Sequence, residues 1–292
     1  MVFADPHPFP RNQVGPCSSS FASAGSLAIR EEKGGERMRK NVLRALVTAL
    51  FLALAVAGTA SALHLQVGNI VVDTDGGFTP TTLPKHELAP IELHGYGKIS
   101  TADNGLPPIL DQIIIWFDKH GEVVTKGLPI CTPAKLAATT TPQARKLCPG
   151  SIVGTGFGKA VVNFPEQGPI PAGSAITIFN GAPKHGNPTV LAHAHLTVPG
   201  PVTFVVPIEI QRVHDGRYGF KTVADIPKIA GGYGTPIYGR LKIGREWTYK
   251  GKRLSYANAS CPDGRLQAKG QFTFKDGTLL QGNLLSPCKS SG

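Results

Sequence analysis

The 292-residue chain carries a formal net charge of +11, 41% hydrophobic and 7% aromatic residues, 35 glycines, 25 prolines and 5 cysteines. Glycine and proline make up about a fifth of it, against an average of roughly 12%, which excludes a mostly helical protein and implies many turns. The hydrophobic share excludes a disordered chain, and the length suffices for one sizeable core.

The composition changes near residue 40. Arg39, Lys40 and Arg44 precede the apolar run 45–57 (ALVTALFLALAVA), and Ala60-Ser61-Ala62 follows. A basic region, a short apolar region and a small-x-small site are the parts of a secretory signal peptide. The 13-residue run spans about 20 Å as a helix, short of the ~30 Å hydrocarbon core. Cleavage near Leu63 is therefore expected, with membrane attachment only if the segment stays uncleaved. Met38 makes a conventional start for such a segment, so 38–62 is the expected signal peptide and 1–37 an expected mis-called extension. The expected location is outside the cell or on the outer face of its envelope.

From residue 63 onward 23 Lys+Arg stand against 15 Asp+Glu, a net charge of +8. Cys131, Cys148, Cys261 and Cys288 remain, an even number that reads as two disulfides behind an export signal. Three pairings exist; short loop closure favours 131–148 with 261–288. Zinc ligation is disfavoured, because no CxxC or CxxH spacing occurs.

Alternation with period two dominates this region. It predicts strands at 65–72, 89–98, 110–118, 152–163, 175–180, 190–198, 204–210, 217–225, 240–249, 265–274 and 279–285. Asp276-Gly277 turns the last pair into a hairpin. Thr132-Pro133 and Thr141-Pro142 each set a cap before a proline, predicting short helices over 133–138 and 142–147 between Cys131 and Cys148. The expected fold is a single antiparallel β-sandwich domain over 63–292, with a barrel as the alternative, carrying a disulfide-stapled helical loop.

GLPIC (127–131), ARKLC (144–148), VGTGFGKA (153–160), FNG (179–181) and the closing segment 261–288 form a recognisable set. Together they resemble secreted, signal-peptide-bearing proteins of high-GC Gram-positive bacteria, over most of the region after residue 62. The resemblance implies export and paired cysteines, and no chemistry.

The strongest surface candidate is the stretch 240–253, with Arg240, Lys242, Arg245, Lys250, Lys252 and Arg253 against the single acid Glu246. Tyr238, Trp247, Tyr249 and Tyr256 interleave with the cations, and Tyr256 joins them as a candidate contact. Cations on a rigid sheet attract polyanions, and aromatic faces stack on sugars or bases. The competing reading is a solvated hairpin whose lysines protect an edge. His193 and His195 share one strand face and form a candidate Cu(II) or Zn(II) pair, against the ordinary reading of solvated histidines. Gly154, Gly156 and Gly158 lack the spacing of a phosphate-binding loop and fit close packing better. Asp73-Thr74-Asp75-Gly76 imitates a calcium loop with too few oxygens and is expected as a turn. No GxSxG or HExxH motif occurs. The expected function is a non-catalytic exported module for an anionic wall or surface polymer, needing no cofactor and no specific nucleic acid. A polysaccharide hydrolase and a metal-binding sandwich are the alternatives.

Overall fold

The computed structural model describes residues 62–291, so the expectations on 1–61 lie outside the described residues. In chain order the strands of the main sheet are β1 (Leu63–Val67), β2 (Ile70–Thr79), β3 (Glu92–Thr101), β4 (Leu110–Asp118), β5 (Ile152–Val162) and β6 (Ile170–Asn180). They continue as β7 (Thr189–Leu196), β8 (Val202–Asp215), β9 (Tyr218–Asp225), β10 (Gly234–Ile243), β11 (Arg265–Phe274) and β12 (Leu279–Pro287). In space the order is β1-β2-β3-β10-β5-β6-β7-β8-β9-β4-β11-β12. Every neighbouring pair is antiparallel.

The sheet curls until β12 lies beside β1. There Leu63 and Leu65 pack over Gly282, where a Cβ would stand 2.7 and 2.8 Å from their Cδ2 atoms. These two strands share no ladder, so the sheet is a nearly closed twelve-strand barrel with one unsealed seam. This corrects the sandwich expectation. Two separate sheets do not form because β10 inserts between β3 and β5, and β4 between β9 and β11. Strand alternation is the same in both architectures, whereas these long-range insertions decide between them.

Register sorts the side chains. Ile70 and Val72 of β2 pack with Ile99 of β3, Leu110 of β4, Phe272 and Phe274 of β11 and Leu280 of β12, contacts that cross the barrel interior. A second inner cluster joins Val153, Ile178, Val190 and Ile210 with Tyr256 and Leu128. Gly154, Gly156 and Gly158 face inward opposite Ile243, Leu241 and Gly239. At Gly156 a Cβ would lie 2.2 Å from the Arg240 carbonyl oxygen, so only glycine permits that approach. The outward positions of β2, β3, β10 and β5 instead include Asp73, Asp75, His94, Lys98, Arg240, Lys242 and Lys159. Apolar inside with charge outside is the reverse of a lipid-facing barrel wall. Among the described residues, no helix is long and apolar enough to cross a membrane.

Four expected elements differ. The segment 89–98 breaks at Ile91: Ala89–Pro90 pairs with Ala257–Ala259 outside the barrel, and Glu92–Thr101 is the barrel strand. The segment 65–72 is not one strand but the β1–β2 hairpin, reversing at Gly68, whose φ is 55°. Asp73–Gly76 is not a turn but the middle of β2, paired with β3 on one side and, through Asp73 and Thr74, with β1 on the other. The segment 240–249 breaks after Ile243, and Glu246–Tyr249 forms its own hairpin with Lys252–Ser255. Lys250 and Gly251, at φ 49° and 77°, make that turn.

The helical loop forms in the expected place, as α1 (Pro133–Leu136), two residues shorter than expected, and α2 (Thr141–Leu147), whose cap is Thr140 rather than Thr141. Cys131–Cys148 and Cys261–Cys288 are bonded, with S–S distances of 2.01 and 1.97 Å. Leu136 and Ala144 press onto Phe179 of β6 and Leu191 of β7, covering the outer face of those strands.

Candidate polymer-binding wall

Three cross-strand rows run over the outer face of β3, β10 and β5, which no other described segment covers. They are Lys98–Tyr238–Lys159, Tyr96–Arg240–Phe157 and His94–Lys242–Thr155. With strands ~4.8 Å apart, the ends of each row lie about 10 Å from each other. The Tyr96 and Tyr238 rings stack with centroids 6.4 Å apart and planes inclined by 27°. Lys159 Nζ stands 5.9 Å from the Tyr238 centroid. Phe157 lies over Gly173 of β6, where a Cβ would come within 3.0 Å of its Cζ. Tyr96 is 41% exposed, and Lys98, Lys159 and Arg240 are exposed with no acidic partner among the described residues. Asp73 and Asp75 of β2 continue the first two rows beside Lys98 and Tyr96, so the positive character is concentrated on the β10–β5 side, at Arg240 and Lys159. An aromatic strip flanked by cations can stack ring faces and attract anions together.

The expected basic stretch is divided by the fold. Arg240 and Lys242 belong to the wall, where Lys242 Nζ lies 3.2 Å from Glu92 Oε1. Arg245 turns back, its Nη1 donating to the carbonyls of Pro149 at 3.2 Å and Ile152 at 2.8 Å. Arg253 pairs with Glu246 across the hairpin, and Lys250 sits 5.6 Å from the Tyr249 ring. Lys252 is exposed on the same hairpin. Tyr256 must be removed from the candidate set: it is 1% exposed within the inner cluster, and burial pushes its hydroxyl well above the ordinary tyrosine range. Trp247 is half-buried, with Nε1 donating to the Lys126 carbonyl. Tyr96, Lys98, Phe157 and Lys159 escaped sequence reasoning because they come from segments that meet β10 only in the folded sheet. The outward parity of Lys98 with Tyr96, and of Lys159 with Phe157, was the one local signal.

His193 and His195 do share a face, but it is not solvated. His193 is fully buried beneath α1 and α2, with Nε2 3.1 Å from both Oγ1 and the carbonyl oxygen of Thr139. A carbonyl only accepts, so Nε2 carries the proton, and the buried Nδ1 has no partner. Burial holds His193 below the ordinary histidine value, and the neighbouring His195 and Arg145 act in the same direction. His195 Nδ1 lies 2.9 Å from Thr203 Oγ1, whose hydroxyl donates to Thr139 O. The covering loop thus holds His193 through Thr139, and β8 holds His195 through Thr203, which is itself bonded to that loop. No group of three or more His, Cys, Asp or Glu among the described residues could hold a metal.

The carboxyls whose affinity for protons changes all move downward. Arg217 holds Asp263 at about 2, and the Asn69 side chain and the Gly105 N–H hold Asp103 at about 2. Asn187 lowers Glu209. A general acid for sugar hydrolysis needs the opposite direction. Asp118, 5% exposed, accepts from Arg217 Nε and from the Gln267 N–H, which makes it a structural tie between β4, the β8–β9 turn and β11. Comparisons with family models, curated proteins and solved structures find no match to this chain.

Proposed function

We propose that this protein is an exported binding barrel for an acidic polymer whose repeating units carry sugar or polyol faces. One observation carries the reading: cross-strand register gathers Tyr96, Tyr238 and Phe157 with Lys98, Lys159 and Arg240 on one uncovered outer wall. Charge supplies attraction and the rings supply contact area, so affinity falls with ionic strength without vanishing. Two disulfides suit an oxidising compartment and support export. The polymer would lie across the strands, along the stacked pair, rather than on the 246–255 hairpin.

The test is affinity electrophoresis of the purified protein in gels containing polygalacturonate, poly(glycerol phosphate) or neutral dextran, at low and high salt. Retardation by an acidic polymer that weakens with salt and with the pair Tyr96→Ala and Lys159→Gln is expected. Equal mobility in all gels at low salt would overturn the reading.

A further inference from the structure

At one end of the wall the row His94–Lys242–Thr155 borders a cleft of about 360 Å³ between β10 and the segment that leaves Cys148. Its lining includes Glu92, Pro149, Thr155, Lys242, Gly244 and Arg245. Arg245 is not a loose surface cation here. Its Nη1 is anchored by the Pro149 and Ile152 carbonyls, while Nε and Nη2 donate to no protein group among the described residues. A guanidinium fixed at one corner has already lost its rotamer freedom, and its remaining fork matches the two oxygens of a carboxylate or phosphate. Lys242 faces the same space, and its pairing with Glu92 is exposed, at 68% and 46% of the two side chains. Such an exposed pair contributes little to stability and yields readily to a competing anion. Glu92, once released, accepts from hydroxyls. The chain reaches this geometry because residue 244 is glycine: a Cβ would stand 3.0 Å from Glu92 Cα.

We infer that this cleft is a subsite for an anionic group, carboxylate or phosphate, attached to a hydroxyl-bearing unit. Arg245 and Lys242 take the anion and Glu92 takes a hydroxyl. The inference rests on the wall reading and sharpens it, since a polymer lying along Tyr96 and Arg240 would bring a charged unit to this end.

The test is titration of the purified protein with glucuronate, glycerol 1-phosphate, glucose and glycerol, followed by amide shifts of Thr155 and Gly244. Saturable shifts with either anion and none with the neutral pair are expected; which anion binds tells carboxylate from phosphate. Arg245 also holds the 149–152 turn, so the first variant is Thr155→Glu, which places like charge in the cleft at an exposed position. It should weaken the small anion by roughly tenfold or more, while Tyr96→Ala leaves the small anion unchanged and weakens the polymer. Absent or anion-independent shifts would overturn the subsite while polymer retardation keeps the wall. Retention of the small anion without polymer binding would overturn the wall instead.

Discussion

Two stretches of the same outer surface can be set side by side. The row His94–Lys242–Thr155 continues through Thr177 to His193, from bare wall to the strip beneath α1 and α2. On the open side the side chains are polar and exposed; on the covered side His193 is sealed and Arg145 Nε donates to Thr177 Oγ1 at the border. Both stretches read as polar strand faces. A single disulfide-closed loop makes the difference, by laying Leu136 and Ala144 over two strands that would otherwise be wet. Outward strand parity therefore reports distance from the barrel interior, and says nothing about solvent until the insertions are placed.

The contrast should break first at Leu136, which is fully buried in the loop-to-strand cluster. Leu136→Ala should cost about 2–5 kcal/mol, read as a lower urea midpoint. Next, changing Cys131 and Cys148 together to Ser removes a link of sequence separation 17. Chain entropy puts the loss near 3 kcal/mol, about 6–12 °C in Tm for a domain of this size. That variant should also bring the His193 ring into contact with solvent, visible as a titrating imidazole signal.

A smaller effect concerns pH. Folded His193 is held below the ordinary histidine value, so the unfolded chain binds the proton first as pH falls. Stability is complete above the ordinary value and declines as pH drops from there toward the folded one. Urea midpoints across that window should slope upward with pH, and His193→Gln, which keeps a donor toward Thr139, should flatten the slope. Smallest of all, Tyr96→Ala and Lys159→Gln on the open side should each shift stability by less than about 0.5 kcal/mol. If they cost as much as Leu136→Ala, the wall is a structural face and its aromatic strip is packing.

Legibility follows sequence distance. The β11–β12 hairpin was readable because alternation and Asp276-Gly277 lie within one segment; Gly277 adopts φ 89° as that turn requires. The stapled helices were readable from Thr–Pro pairs placed between two cysteines. Barrel closure was not, since β10 and β4 reach their places through pairings that local pattern does not encode. The candidate site divides in the same way. Arg240 and Lys242 can be read from one basic run, whereas Lys98, Lys159, Tyr96 and Phe157 stand beside them only by register. Tyr256 was misassigned for the converse reason: adjacency to Arg253 hides that the chain has turned inward by residue 256.

The seam sets how the molecule breathes. At the far end of β12, Cys288 is tied to Cys261 and Lys289–Ser291 runs parallel to Thr82–Pro84, so the last strand is fastened beyond its own ladder. Among the described residues β1 has a ladder on one side only and rests on Gly282 by two leucines on the other. Local opening draws on the least fastened element. The amide protons of Leu63–Val67 should therefore exchange ahead of every other barrel strand, and the barrel should unzip from its first strand rather than its last.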